Sequence, residues 1–185
     1  MRQRYDAAYV AAFYDALGER EWDRHDASWA ARFSFALHTH YVRAVVRPGD
    51  RVLEIGAGPG RFTIELAHLG AHIHVADLSS RQPALNAERV AQAGCEASVV
   101  ARSQLDVADL SSLGDARFDA VVCYGGPLSY LMDRAERGVA ELVRVTRPGG
   151  HVLLSAMSLL GSTRAFLPGA LDGGTHILAV LRRPA

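Results

Sequence analysis

Three glycines at alternate positions, Gly56, Gly58 and Gly60, separate an apolar run from an amphipathic one in "VLEIGAGPGRFTIELA". Glycine at every second position lets a chain turn sharply and brings main-chain N–H groups within reach of a ligand. About twenty residues further on, "HIHVAD" ends in Asp77, and a carboxylate at that interval can accept hydrogen bonds from both ribose hydroxyls of a nucleoside. A third strand-like run leads to Asp106 in "QLDVADL", placed to meet the adenine edge. Asp109, three residues on, competes with it as the cap of a short turn. A single glycine turn is common in proteins. Three such features at successive strand ends describe a nucleoside site.

Several rival chemistries are excluded by single residues. A dinucleotide fingerprint, G-x-G-x-x-G, requires glycine at position 61, where the chain has Arg61; the pattern here is E-x-G-x-G-x-G, from Glu54 through Gly60. A phosphate loop of the Walker type needs a lysine, and all 20 basic residues are arginine. The formal net charge of zero provides no global field toward nucleic acid or an anionic membrane. Cys95 and Cys123 form neither a metal-ligand pattern nor a disulfide framework, which fits a reducing cytoplasm. No metal cluster is indicated, no apolar stretch is long enough to span a bilayer, and the N-terminus lacks the apolar core of a signal peptide. A cytoplasmic protein without nucleic-acid or membrane partners is expected.

These residues need elements to hold them. Periodicity predicts strands at 51–55, 72–76, 97–101, 118–123 and 151–155, with helices at 61–69, 82–93 and 133–145 between most of them. Repeated βα units imply a mostly parallel sheet covered on both faces. Two helical segments come first. One holds Tyr5, Tyr9, Phe13 and Ala16 before Gly18, and the other, over 28–46, repeats Trp29, Phe33, Leu37, Tyr41 and Val45 at intervals of four. Among the aromatic side chains of this region, Tyr5, Tyr9, Tyr14, Trp22 and His25 read first as core, and second as contacts to a ligand.

At this point the chain resembles the class I S-adenosylmethionine-dependent methyltransferases. "VLEIGAGPG" resembles the family's first motif, "VADLS" its acidic second-strand motif, and "LDVADL" its adenine-side motif. "FDAVVCYGGPLSYL" and "ELVRVTRPGGHVLLS" resemble the fourth strand and the helix, turn and fifth strand that follow it. The resemblance covers 52–155 and implies a Rossmann-like, doubly wound α/β fold. It also implies S-adenosylmethionine as cofactor. Gly56, Gly58 and Gly60, with Glu54, would approach its amino-acid and ribose portion, and Asp77 would hold the ribose hydroxyls. Leu78 would lie on the adenine face, Asp106 and Val107 at its edge, and Tyr124 with Gly125 beside the sulfonium.

The resemblance divides the 185 residues, as one domain, into a helical lid (1–47), a cofactor-binding core (48–157) and a shortened C-terminal segment (158–185). The family's sheet has seven strands, whereas only about twenty residues separate the fifth strand here from "THILAVLRR". The sixth strand is therefore expected to be missing, leaving the pocket edge open or completed by a second subunit in a homodimer. "YGGPLSYL" departs from the Asn-Pro-Pro-Tyr loop suited to amino groups of nucleic acid or protein, which favours a small-molecule acceptor, as in specialised metabolism. Tyr124, Ser129, Tyr130 and His38 are the candidates for contact with that acceptor or for a general base. The alternative expectation is a homologue that binds S-adenosylmethionine without methylating. A nicotinamide-dependent oxidoreductase comes third, disfavoured by Arg61.

Overall fold

Short apolar runs alternate with amphipathic ones from residue 51 onward, and the chain folds them into the strands and helices their periods specify. The computed structural model describes residues 4–158 and 176–184. Three helices come first: α1 (Ala7–Leu17), α2 (Arg20–Asp23) and α3 (Trp29–Val45). Then follow β1 (Arg51–Ile55), α4 (Arg61–His68), β2 (His72–Asp77), α5 (Gln82–Gln92) and β3 (Val99–Gln104). The second half holds β4 (Phe118–Cys123), α6 (Pro127–Tyr130), α7 (Ala135–Val145), β5 (Thr146–Met157) and β6 (His176–Arg182). The six strands lie in the order β3-β2-β1-β4-β5-β6. All neighbouring pairs are parallel except β5 and β6. Strand order reverses between β1 and β4, and the crevice of such a sheet opens at the carboxyl ends beside that point.

Successive side chains of a strand point to opposite faces, so each central strand serves two cores. Val52 of β1 and Val122 of β4 pack with Val42 of α3 and with Phe62 and Leu66 of α4. Their neighbours Leu53 and Val121 pack with Leu128 of α6 and with Leu142 and Val145 of α7. Leu53, Leu66 and Leu142 are completely buried, each stabilising the fold by about 1.5–3 kcal/mol relative to exposure.

Two strand starts differ from the periodic pattern. β3 starts at Val99 rather than at 97 because a 3-10 turn takes Glu96–Ser98, and its pairing then runs on to Gln104 opposite Asp77. β5 starts at Thr146 rather than at 151 because Thr146 pairs with Phe118 before an irregularity in the ladder. The final run forms β6, antiparallel to β5. The turn-rich stretch between β5 and β6 lies outside the described residues. Among the described residues no seventh strand joins the sheet, and no helix is long and apolar enough to cross a membrane.

The fourfold repeat of α3 marks its outer side. Trp29 and Phe33 are 70% and 56% exposed and stack on each other 5.4 Å apart. The inward face belongs to His38, Thr39 and Val42. A spacing of exactly four advances 40° per step around a helix of 3.6 residues per turn, so the repeat alone does not define a buried stripe. Tyr9 of α1 is likewise 70% exposed, against its reading as core.

Candidate functional site

A cleft opens at the carboxyl ends of β1, β2, β3 and β4. Ile55, Gly56 and Gly58 reach it from β1, and Asp77 and Leu78 from β2. Leu105, Asp106 and Val107 follow β3, while Tyr124, Gly125 and Pro127 follow β4. The roof is the N-terminal segment: Tyr5, Val10 and Tyr14, then Glu21 and Arg24.

The three glycines of the turn all have left-handed backbone angles, φ 70°, 54° and 101°, a region costly for any residue with a Cβ. Each also lacks a side chain for its own reason. A Cβ on Gly56 would collide with the Pro127 ring, and one on Gly60 would press on Asn86 and Val90 of α5. At Gly58 the nearest atom would be Glu21 Cγ at 3.7 Å, so only this glycine has room beside it, on the cleft side. The N–H groups of the turn point inward, not to a ligand. Those of Gly56 and Ala57 donate to the Ala76 carbonyl at 2.9 and 3.1 Å, and that of Gly60 to the Ala57 carbonyl. Sequence reasoning anticipated amides free for a ligand. The structure corrects this, because the turn carries no row of outward amides to hold a phosphate.

Asp77 is fixed from both sides. Its Oδ2 accepts from the Gly58 N–H at 2.8 Å and its Oδ1 from the Ser79 N–H at 2.9 Å. Burial raises its pKa above the usual carboxylate range, opposed by these amides. Asp106 is held through Oδ1 by the Ala108 N–H at 2.8 Å.

Not every residue singled out from the sequence reaches the cleft. Gly56, Gly58, Asp77, Leu78, Asp106, Val107, Tyr124 and Tyr130 line it together. Glu54 is beneath it, 2% exposed, accepting from the Thr63 hydroxyl at 2.6 Å; burial pushes its pKa up to about 8. Gly60 packs on α5 and does not line the cleft. Ser129 is occupied by the fold, its hydroxyl accepting from the Met157 N–H at 2.7 Å. His38 is buried, its ring edge-on to Tyr124 at 4.5 Å. The contact of its Nδ1 with the Ser34 carbonyl at 2.7 Å places a proton on Nδ1. Desolvation lowers its pKa and keeps the ring neutral. The buried Tyr124 hydroxyl has no hydrogen-bond partner among the described residues.

Two charged cleft residues escaped sequence reasoning: Glu21 and Arg24, one helical turn apart, joined Oε1 to Nε at 2.6 Å. Glu21 lies beside Gly58, and an Arg24 guanidinium nitrogen lies 3.1 Å from where a Gly125 Cβ would be. Burial raises the Glu21 pKa, with Arg24 opposing. Their signal was an acid and a base three residues apart in "EREWDR", each followed by an aromatic, Trp22 and His25. Those aromatics instead anchor the lid. Trp22 lies between the guanidinium carbons of Arg61 and Arg89, 4.9 and 5.1 Å from its ring. His25 packs on Phe35 and Phe62, and burial depresses its pKa to about 3.

The lid is tied down along its length. Asp15 receives the Ser79 hydroxyl, the Ser80 hydroxyl at 3.1 Å and the Arg81 N–H at 3.2 Å. Gln82 Nε2 donates to the Tyr14 and Gly18 carbonyls at 3.1 and 3.2 Å. The Tyr14 hydroxyl donates to that of Tyr130 at 3.2 Å, linking α1 to α6. Among the described residues no group of three or more His, Cys, Asp or Glu side chains could hold a metal ion.

A family model described as a methyltransferase domain matches residues 52–150. A ubiquinone biosynthesis O-methyltransferase of Alkalilimnicola ehrlichii is 30% identical over 175 residues, covering 94% of this chain and 68% of that protein. A demethylmenaquinone methyltransferase of a Mycobacterium species (strain KMS) is 36% identical over 158 residues, 85% of this chain and 63% of that one. The chain thus spans about two thirds of the length of these curated relatives. Among solved structures, the [4+2]-cyclase SpnF superposes with a TM-score of 0.70 at 22% identity, covering 84% of this chain and 62% of that one. That likeness concerns the fold alone.

Proposed function

Because the chain belongs to the class I S-adenosylmethionine-dependent methyltransferases, we propose that it transfers a methyl group from S-adenosylmethionine to a small-molecule acceptor of the quinone class named in its relatives. The observation that carries the reading is Asp77, buried at the β2 end with each oxygen already oriented by one backbone N–H. A carboxylate has about four acceptor positions, so two remain for a pair of ribose hydroxyls. Leu78 and Val107 provide apolar walls for a flat base, and Asp106 a polar edge. The inward amides of the glycine turn suit a ligand without phosphate, which a dinucleotide is not. The Glu21–Arg24 pair complements the other end of the cofactor, Glu21 receiving the α-amino group and Arg24 the carboxylate.

Bound there, the cofactor supplies a methyl group already activated on a sulfonium. The protein's share is alignment and exclusion of water. α1 and α2 roof the cleft, and the Tyr14–Tyr130 bond closes it from lid to floor. Tyr124 lines the acceptor side of the cleft, with the buried, neutral His38 packed edge-on behind it.

The test is turnover. Purified protein incubated with S-adenosylmethionine and a panel of catechols, hydroquinols and naphthoquinols should form S-adenosylhomocysteine, read by mass spectrometry. Binding of the cofactor with no product across the panel would favour a homologue that uses the fold for other chemistry. Preference for a nicotinamide cofactor would sink the assignment.

A further inference from the structure

The glycine turn is braced from the α5 side by a chain of hydrogen bonds that no motif announces. Arg102 on β3 forms a two-pronged ion pair with Glu96 at 2.6 and 2.7 Å and donates through Nε to Asn86 Oδ1 at 3.2 Å. Asn86 is completely buried. Its Nδ2 donates to the Thr63 hydroxyl oxygen at 2.8 Å and reaches the Gly58 carbonyl at 3.5 Å. The Thr63 hydroxyl in turn donates a hydrogen bond to Glu54. The chain therefore links β3, α5, α4 and β1, and Asn86 sits 3.0 Å from the position of a Gly60 Cβ.

The direction of each bond is determined. An arginine can only donate, so it requires the oxygen of the Asn86 amide and turns the NH₂ group inward. Thr63 can then accept from Asn86 and donate to Glu54. A buried group with both partners removed is expensive, so the amide has one favourable orientation.

We propose that Asn86, oriented by Arg102, is the positioning residue of the glycine turn, holding it in the geometry in which Gly58 meets Asp77 and the cofactor's place stays open. This rests on the cofactor reading above, yet the brace exists without a ligand and can be tested without one. The Asn86→Asp variant keeps the shape and, when ionised, lacks the donor. The Arg102 guanidinium beside it favours the ionised form, so the donor to Thr63 is lost.

The experiment compares wild type, Asn86→Asp and Val90→Ala at pH 8 and pH 6. Amide exchange across 56–60 is measured in the cofactor-free proteins, and the S-adenosylmethionine Kd by calorimetry. Val90→Ala removes packing against the same turn without removing a donor. Asn86→Asp is expected to speed exchange and weaken binding by about tenfold at pH 8, the cost of one buried hydrogen bond. Relative to wild type at each pH, both effects should persist at pH 6, because Arg102 keeps the new carboxylate ionised, and Val90→Ala should show smaller changes. Wild-type exchange in Asn86→Asp at pH 8, or an equal change in Val90→Ala, overturns the proposal. If the wild type itself fails to bind S-adenosylmethionine, the cofactor reading fails, and the exchange ratios still decide the role of Asn86.

Discussion

Asp77 sits where two demands meet: it must be rigid, and it must keep acceptor capacity for a ligand. The Gly58 and Ser79 amides meet the first with one bond to each oxygen, leaving the second intact. Asp77→Ala should weaken S-adenosylmethionine binding by about 1–3 kcal/mol, the range for hydrogen bonds to a charged group; calorimetric titration checks it, and unchanged affinity would remove the ribose role. Arg24→Gln should weaken S-adenosylmethionine by about tenfold or more, as expected for losing a charge-assisted pair. It should leave a cofactor analogue that lacks the carboxylate unaffected, and equal losses for both ligands would show that Arg24 acts only on the lid. Asp77 was legible because strand-end spacing fixes its position. Arg24 was not, since only the tertiary placement of the four-residue α2 brings it beside Gly125.

Among the elements, β1 and α4 carry an ionisable group in an apolar setting. Glu54 is fully buried between them, and its pKa rises from the ordinary 4.5 to about 8. The folded state thus holds a proton that the unfolded chain gives up, so between those values stability falls as pH rises, by about 1.4 kcal/mol per pH unit for one group. Glu54→Gln still accepts the Thr63 hydroxyl and cannot ionise. Its melting temperature should decline less than that of the wild type from pH 6 to pH 8, and parallel curves would refute the buried-acid account. Leu66→Ala, in the completely buried face of α4, should destabilise by about 2–5 kcal/mol in denaturant titration. The core helices and strands were legible because their apolar periods are decided by the sheet they cover. The outer ridge of α3 was not, because a period of four fits either side of a helix.

For the whole molecule, the sheet order and the cleft at its reversal follow from the alternation of strands and helices, and were foreseeable to that extent. The acceptor is a different matter: a cyclase shares the fold at a TM-score of 0.70, so architecture does not select a reaction. Ligand linkage is the appropriate measurement at this scale. S-adenosylmethionine at 100 times its Kd should stabilise the folded chain by about 2.7 kcal/mol, visible as an upward shift in melting temperature. NAD at the same concentration should give none.

The clamp on Trp22 also makes α2 observable. The chain has two tryptophans: one held between two guanidinium groups, the other stacked on Phe33 and 70% exposed. Replacing the exposed one, Trp29→Phe, leaves a single indole whose emission depends on contact with Arg61 and Arg89. That emission becomes a probe of the roof of the cleft, and a stopped-flow change in it on mixing with ligand would report movement of α2.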